Sequence, residues 1–213
     1  MIELGLGRVG NVLCLGAHAD DIEIGCGGLL LKLARDNPDV NVRWVVFSGR
    51  GKREQEARRS ARIFLQGIAQ RRVVVEDFED GFFPGDWARI KRRFERLKAA
   101  FEPDLVLTHC REDRHQDHRV VSDLTWNTFR RHLILEYEIP KYDGDLGSPN
   151  VFVRLDEKTC RTKAEVVCRS FKSQSEKHWF TPDLFMGLMR LRGMECGSPT
   201  HYAEAYYCRK LVL

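Results

Sequence analysis

The chain has 213 residues, 43% of them hydrophobic and 31% charged, with a formal charge of +4. That composition buries a normal core and fits one α/β domain, so a disordered chain is excluded. The basic residues alternate with acids in helical stretches rather than interleaving with aromatics, which excludes nucleic acid as a partner.

The first ten residues, MIELGLGRVG, lack a basic start and a long apolar run. No signal peptide is expected, and with no window of 18 apolar residues there is no membrane span, so the expected location is cytoplasmic. Residues 12–15 read as a short apolar strand that releases His18, Asp20 and Asp21 before a helix over 24–35, closed by Asn37-Pro38. Gly25, Gly27 and Gly28 let the backbone turn and pack close to the sheet. They do not spell G-x-G-x-x-G, and acids stand where a phosphate would sit, which argues against a dinucleotide site. A second strand over 40–47 leads through Ser48-Gly49-Arg50-Gly51 into an amphipathic helix over 52–66. A strand over 72–75, a turn-rich connection over 80–86 and a helix over 87–101 follow, with Trp87, Ile90, Phe94 and Leu97 facing inward. The apolar run at 104–108 is the fourth strand.

Beyond it come a helix over 119–130, a strand over 133–138, a loop over 142–149 and a strand over 151–155. A helix over 156–171 with Asp156 as N-cap, a helix over 181–192 and a last strand over 206–213 complete the chain. The alternation of strand and helix predicts a parallel, doubly wound sheet in a single domain over 1–213. Seven cysteines at irregular positions, none in a C-x-x-C pair, argue against a disulfide framework and for a reducing compartment.

Two stretches carry chemistry. His18-x-x-Asp21 follows the first strand, and Arg114-His115-Gln116-Asp117-His118-Arg119 follows the fourth. Both should emerge on the edge of the sheet where ligands gather in open α/β folds. His18, Asp21 and His118 supply two imidazoles and a carboxylate, a catalytic zinc set with an open position. The same donors suit iron or another divalent ion. Either stretch alone reads equally well as core or capping residues; the two together point to a metal. Asp20, beside a ligand without being one, is suited to take a proton from water, the competing reading being a helix cap. His115 can face the open position, there to stabilise an oxyanion or protonate a leaving amine, with Asp117 accepting its ring N–H. Cys110 lies near the second stretch, but better donors stand closer.

AHADDIEIGCGG and HQDHRVV resemble the two signature motifs of the LmbE-like, or PIG-L, family of N-acetyl-sugar deacetylases, His-Pro-Asp-Asp-Glu and His-x-Asp-His, in the same order. The resemblance is good over 11–130 and looser over 132–213. It implies a Rossmann-like three-layer fold, with a mostly parallel central sheet and helices on both faces. It also implies a Zn2+ site, with Fe2+ as the other candidate, and hydrolysis of a linear amide C–N bond. The substrate would be a small N-acetylated sugar or glycoconjugate, split into acetate and a free amine.

Carried over, His18, Asp21 and His118 match the metal ligands, Asp20 the general base and His115 the electrostatic stabiliser or acid. Arg50 resembles the Arg-bearing loop that lines the substrate pocket. Arg53 and Glu56 fit a helix surface equally well. Residues 138–140 and 142–149 fall where the family places substrate-contacting segments, and Ser173, Gln174 and His178 are candidates for another wall. Ala19 replaces the usual Pro, and Ile22 stands where the motif's Glu is usual, with Glu23 one residue later. The other readings are a metal-dependent amidase for a non-sugar N-acyl compound and a catalytically silent metal-binding protein. A homo-oligomer is allowed by the sequence.

Overall fold

β1 (Asn11–His18) is apolar at almost every position and buried along its length, as a strand covered by helices on both faces must be. Its side chains alternate between two cores. Val12 and Cys14 enter one with Leu29 and Leu30 of α1 (Asp21–Asp36), Ala57, Ala61 and Phe64 of α2 (Lys52–Phe64), and Ala164 and Val167 of α5 (Glu157–Ser170). Leu13, Leu15 and Ala17 enter the other with Ile90, Phe94 and Leu97 of α3 (Trp87–Ala100) and Val121 and Leu124 of α4 (Gln116–Thr128). The computed structural model, which describes residues 9–212, is therefore a three-layer α/β/α fold.

The sheet has seven strands in the order β3-β2-β1-β4-β5-β7-β6. β2 (Asn41–Ser48), β3 (Gln70–Val75), β4 (Leu105–His109) and β5 (Leu133–Tyr137) continue β1 in parallel. β7 (Tyr202–Cys208) runs antiparallel to both β5 and β6 (Val151–Leu155). α6 (Pro182–Glu195) packs on β7. Strand order reverses between β1 and β4, so the chain leaves these neighbours toward opposite faces and opens a crevice at their carboxyl ends.

Several boundaries differ from the expected ones. α1 and α4 each begin three residues early, at Asp21 and Gln116, because polar residues in their first turns hide the apolar period. β7 begins at Tyr202 rather than 206, because Glu204, buried within it, interrupts the apolar pattern. Trp87, expected to face inward, is 44% exposed at the start of α3. Asp156 does cap α5, accepting from the Thr159 N–H at 2.7 Å. All seven cysteines are free. No helix among the described residues is long and apolar enough to cross a membrane. β7 also ends at Cys208, short of the expected 213; residue 213 and the reading of residues 1–8 lie outside the described residues.

Candidate active site

β1 ends on His18, α1 starts at Asp21, and α4 carries His118 in its first turn, so three side chains meet over the crevice. His18 Nδ1 and His118 Nε2 stand 3.1 Å apart. The Asp21 carboxylate closes the triangle, 3.3 Å from His18 Nδ1 and 3.5 Å from His118 Nε2. The outer nitrogens decide the tautomers. His18 Nε2 faces two carboxylates, Asp117 Oδ2 at 3.1 Å and Asp80 Oδ1 at 3.2 Å, and must donate to them. His118 Nδ1 faces Asp113 Oδ2 at 2.8 Å and must donate as well. When both rings are neutral, two imidazole lone pairs and a carboxylate therefore point at one spot. Donors held tetrahedrally at about 2.0–2.1 Å from an ion lie about 3.3 Å from each other, the spacing seen here. These residues fit a divalent ion, and carboxylates behind both imidazoles are the usual support of metal-binding histidines.

The same geometry concentrates charge. Burial opposes a charge on His18, but Asp21, Asp117 and Asp80 outweigh it and hold the ring well above the usual histidine value. Asp21 is held well below the carboxylate range, its burial overcome by His118, His109 and His18. Burial and His109 push His118 down to about 4. The centre thus attracts a cation, either a proton or a metal.

Asp20 occupies the N-cap position of α1, yet its side chain makes no capping hydrogen bond. It accepts instead from Arg53 Nη2 at 3.3 Å, while Arg53 Nη1 donates to Asp80 at 2.7 Å. Burial and the Asp21 charge raise the Asp20 carboxyl, and Arg53 and His18 pull it back. His115 is the N-cap of α4: its Nδ1 accepts from the Asp117 N–H at 3.2 Å. That bond leaves the ring proton on Nε2. Burial and the neighbouring His18 hold His115 below its usual value, so the ring is neutral at pH 7 and donates only from Nε2. Its ring lies edge-on to His18 and stacks on His118, with centroids 4.8 and 4.5 Å away.

The PIG-L family model, described as GlcNAc-PI de-N-acetylase, matches residues 13–129, more than half of the chain. The chain belongs to the PIG-L family. Solved structures share its fold, among them these three. N,N'-diacetylchitobiose deacetylase from Pyrococcus horikoshii is 19% identical with a TM-score of 0.70, covering 94% of this chain and 84% of that one. The A40926 pseudoaglycone deacetylase is 17% identical with a TM-score of 0.72, covering 97% and 100%. GalB, the 4-carboxy-2-hydroxymuconate hydratase of Pseudomonas putida KT2440, is 16% identical with a TM-score of 0.68, covering 95% and 97%. At such identities the likeness is one of fold.

Within the PIG-L site, one expected contact is made differently. The Asp117 carboxylate does not meet the His115 ring. It accepts from His18 Nε2 and from the backbone N–H groups of Gly81 at 2.6 Å and Phe83 at 3.1 Å. Only the Asp117 backbone N–H reaches His115, because α4 already begins there. Arg50 is exposed and donates from Nε to the Asp77 carbonyl at 2.8 Å; the guanidinium beside Asp20 belongs to Arg53, one helical turn further on. Cys110 bonds Glu112 Oε2 at 3.3 Å, beside Arg209, and burial pushes its thiol up to about 12.

Of the expected substrate walls, Glu138 is buried against Arg192, and Ser173, itself exposed, donates to the buried Glu56. Tyr142, 69% exposed, meets His178 at 3.4 Å on the rim. Sequence reasoning passed over four residues. Asp113 and Asp80 orient the histidines. Lys141 lies 3.0 Å from Asp113. His109, the last residue of β4, accepts from the Ala17 N–H at 3.0 Å and sits 3.3 Å from Asp21. The visible signal for Asp113 was an acid five residues before His118; for Asp80 and Lys141, set by loops that fold over β1 and β4, the sequence carries none.

Proposed function

We propose that this PIG-L family chain is a zinc-dependent hydrolase that removes the acetyl group from an N-acetylated sugar or glycoconjugate. The supporting observation is the convergence of His18 Nδ1, His118 Nε2 and the Asp21 carboxylate beside an Asp20 that caps nothing. The fold alone does not choose the reaction, since a hydratase shares it; the reading rests on the residues gathered at the site.

His18, Asp21 and His118 hold the ion, which when bound acidifies water and polarises an amide carbonyl. Asp20 accepts the proton of the attacking water, its carboxyl brought toward neutrality by burial and kept ionisable by Arg53. His115, a neutral donor at Nε2, hydrogen-bonds the developing oxyanion. The proton on Asp20 then passes to the departing amine, so acetate and a free amine leave and the base is restored. Asp117 holds His18 in the ligating tautomer. Arg53 and Asp80, paired beside Asp20, offer donors and an acceptor for sugar hydroxyls, and Arg50, on the turn before Arg53, is a further candidate donor to the substrate.

The test is acetate release by the zinc-loaded protein from N-acetylglucosamine glycosides and from N-acyl amines without a sugar. Release from the glycosides is the expected result. Release only from the simple amides would make the chain a general amidase, and zinc binding without any acetate would make it a silent member of the fold.

A further inference from the structure

We propose that the buried ion pair between Lys163 and Glu204 positions the metal-binding turn by holding a broken helix together; this rests on the reading of Asp21 as a metal ligand. α1 is not continuous. Cys26, at φ −141° and ψ 18°, interrupts it little more than a turn after Asp21. A break in a buried helix leaves carbonyls and N–H groups without helical partners where water does not reach.

Lys163 of α5 and Glu204 of β7 supply those partners. Lys163 Nζ donates to the Ile24 carbonyl at 2.6 Å. Glu204 Oε1 accepts from the Gly28 N–H at 2.6 Å and Oε2 from the Leu29 N–H at 2.7 Å. The two charges meet each other at 2.7 Å, and Tyr206 OH donates to Glu204 Oε2 at 2.8 Å. One ion pair thus caps both sides of the break, its cation on the carbonyl end of the first segment and its carboxylate on the amide end of the second. Each sign suits the helix terminus it faces. The approach is close: a Cβ on Gly28 would lie 2.4 Å from Leu155 Cδ1 and 2.8 Å from Glu204 Oε1, and one on Gly25 2.1 Å from the Tyr137 ring.

The first segment carries Asp20 and Asp21 and is far too short to be stable by itself. Its pose is set by β1 at one end and by Lys163 at the other. Lys163 and Glu204 lie outside residues 13–129, so the C-terminal part of the chain sets the aim of ligands in the N-terminal part.

The experiment measures zinc affinity of the full chain by chelator competition, with the visible spectrum of the Co2+-loaded protein as a readout of ligand geometry. Lys163→Met and Glu204→Gln are made together, so that no lone charge is buried. Zinc binding should weaken by about tenfold or more and the cobalt bands should change. Leu97→Ala, a truncation on α3 in the core on the other face of the sheet, should lower Tm and leave both readouts unchanged. Should the double variant fail to fold, Tyr206→Phe removes one donor to Glu204 at little cost in volume and should weaken zinc by about threefold. Unchanged zinc affinity and cobalt spectrum in the folded variant, whatever its Tm, would overturn the positioning role and leave the metal centre standing. A wild-type chain that binds no zinc would overturn both.

Discussion

At the scale of single residues, the site works by giving each polar atom one task. Asp20 is the clearest case, a helix-initial aspartate released from capping and balanced between Asp21, which raises its carboxyl, and Arg53, which lowers it. Arg53→Met removes the lowering charge. As the proposed base, Asp20 would have to be ionised to act, so the acid limb of the kcat/KM profile should move to higher pH, and the pH–rate curve of the variant checks this. Asp20→Asn should reduce acetate release to background and keep zinc, whereas His18→Ala should lose both; metal analysis beside the activity assay separates them. Asp117→Asn should weaken zinc by about 10–100-fold, because an amide no longer holds the His18 ring as a charged acceptor does; chelator competition measures it.

How much of this was legible in the sequence follows from how local each relation is. His18, Asp20 and Asp21 are neighbours, and His115 and His118 share one turn, so their spacing shows in the string. Arg53 could not be told from a surface charge, because its partners Asp20 and Asp80 come from two other loops.

At the scale of elements, helix starts do most of the positioning. His115 caps α4 and so fixes its own tautomer, and His118 reaches the centre only because α4 begins at Gln116. The sequence placed this start at 119, since His, Gln and Asp give no apolar period. Asp156, by contrast, was readable as an N-cap because a serviceable helix pattern follows it at once. It supplies a control far from the chemistry. The Thr159 N–H holds its carboxyl below the usual value, so the cap contributes above the unfolded carboxyl pKa and is lost as pH falls through the folded one. Asp156→Ala should cost about 1 kcal/mol near neutral pH. The Tm gap from wild type should close on acidification, and activity should not change.

At the scale of the whole molecule, the reversal of strand order between β1 and β4 is what brings residues a hundred positions apart into one cluster. Alternating strands and helices made the parallel half of the sheet predictable. The antiparallel β7 was misplaced because a buried glutamate interrupts it, and that glutamate proves to serve α1. Zinc should stabilise the whole domain, by about 2.7 kcal/mol at a hundredfold excess over Kd, or about 5–10 °C in Tm. The acids around His18 raise its proton affinity, so protons compete with the metal, and the zinc-dependent gain in Tm should shrink from about pH 8 to about pH 6. The most direct measurement is an anomalous difference map from crystals of the zinc-loaded protein. A single strong peak is predicted about 2.0–2.2 Å from His18 Nδ1, His118 Nε2 and an Asp21 oxygen. A peak that leaves out His18, or no peak in the crevice between β1 and β4, would contradict the account.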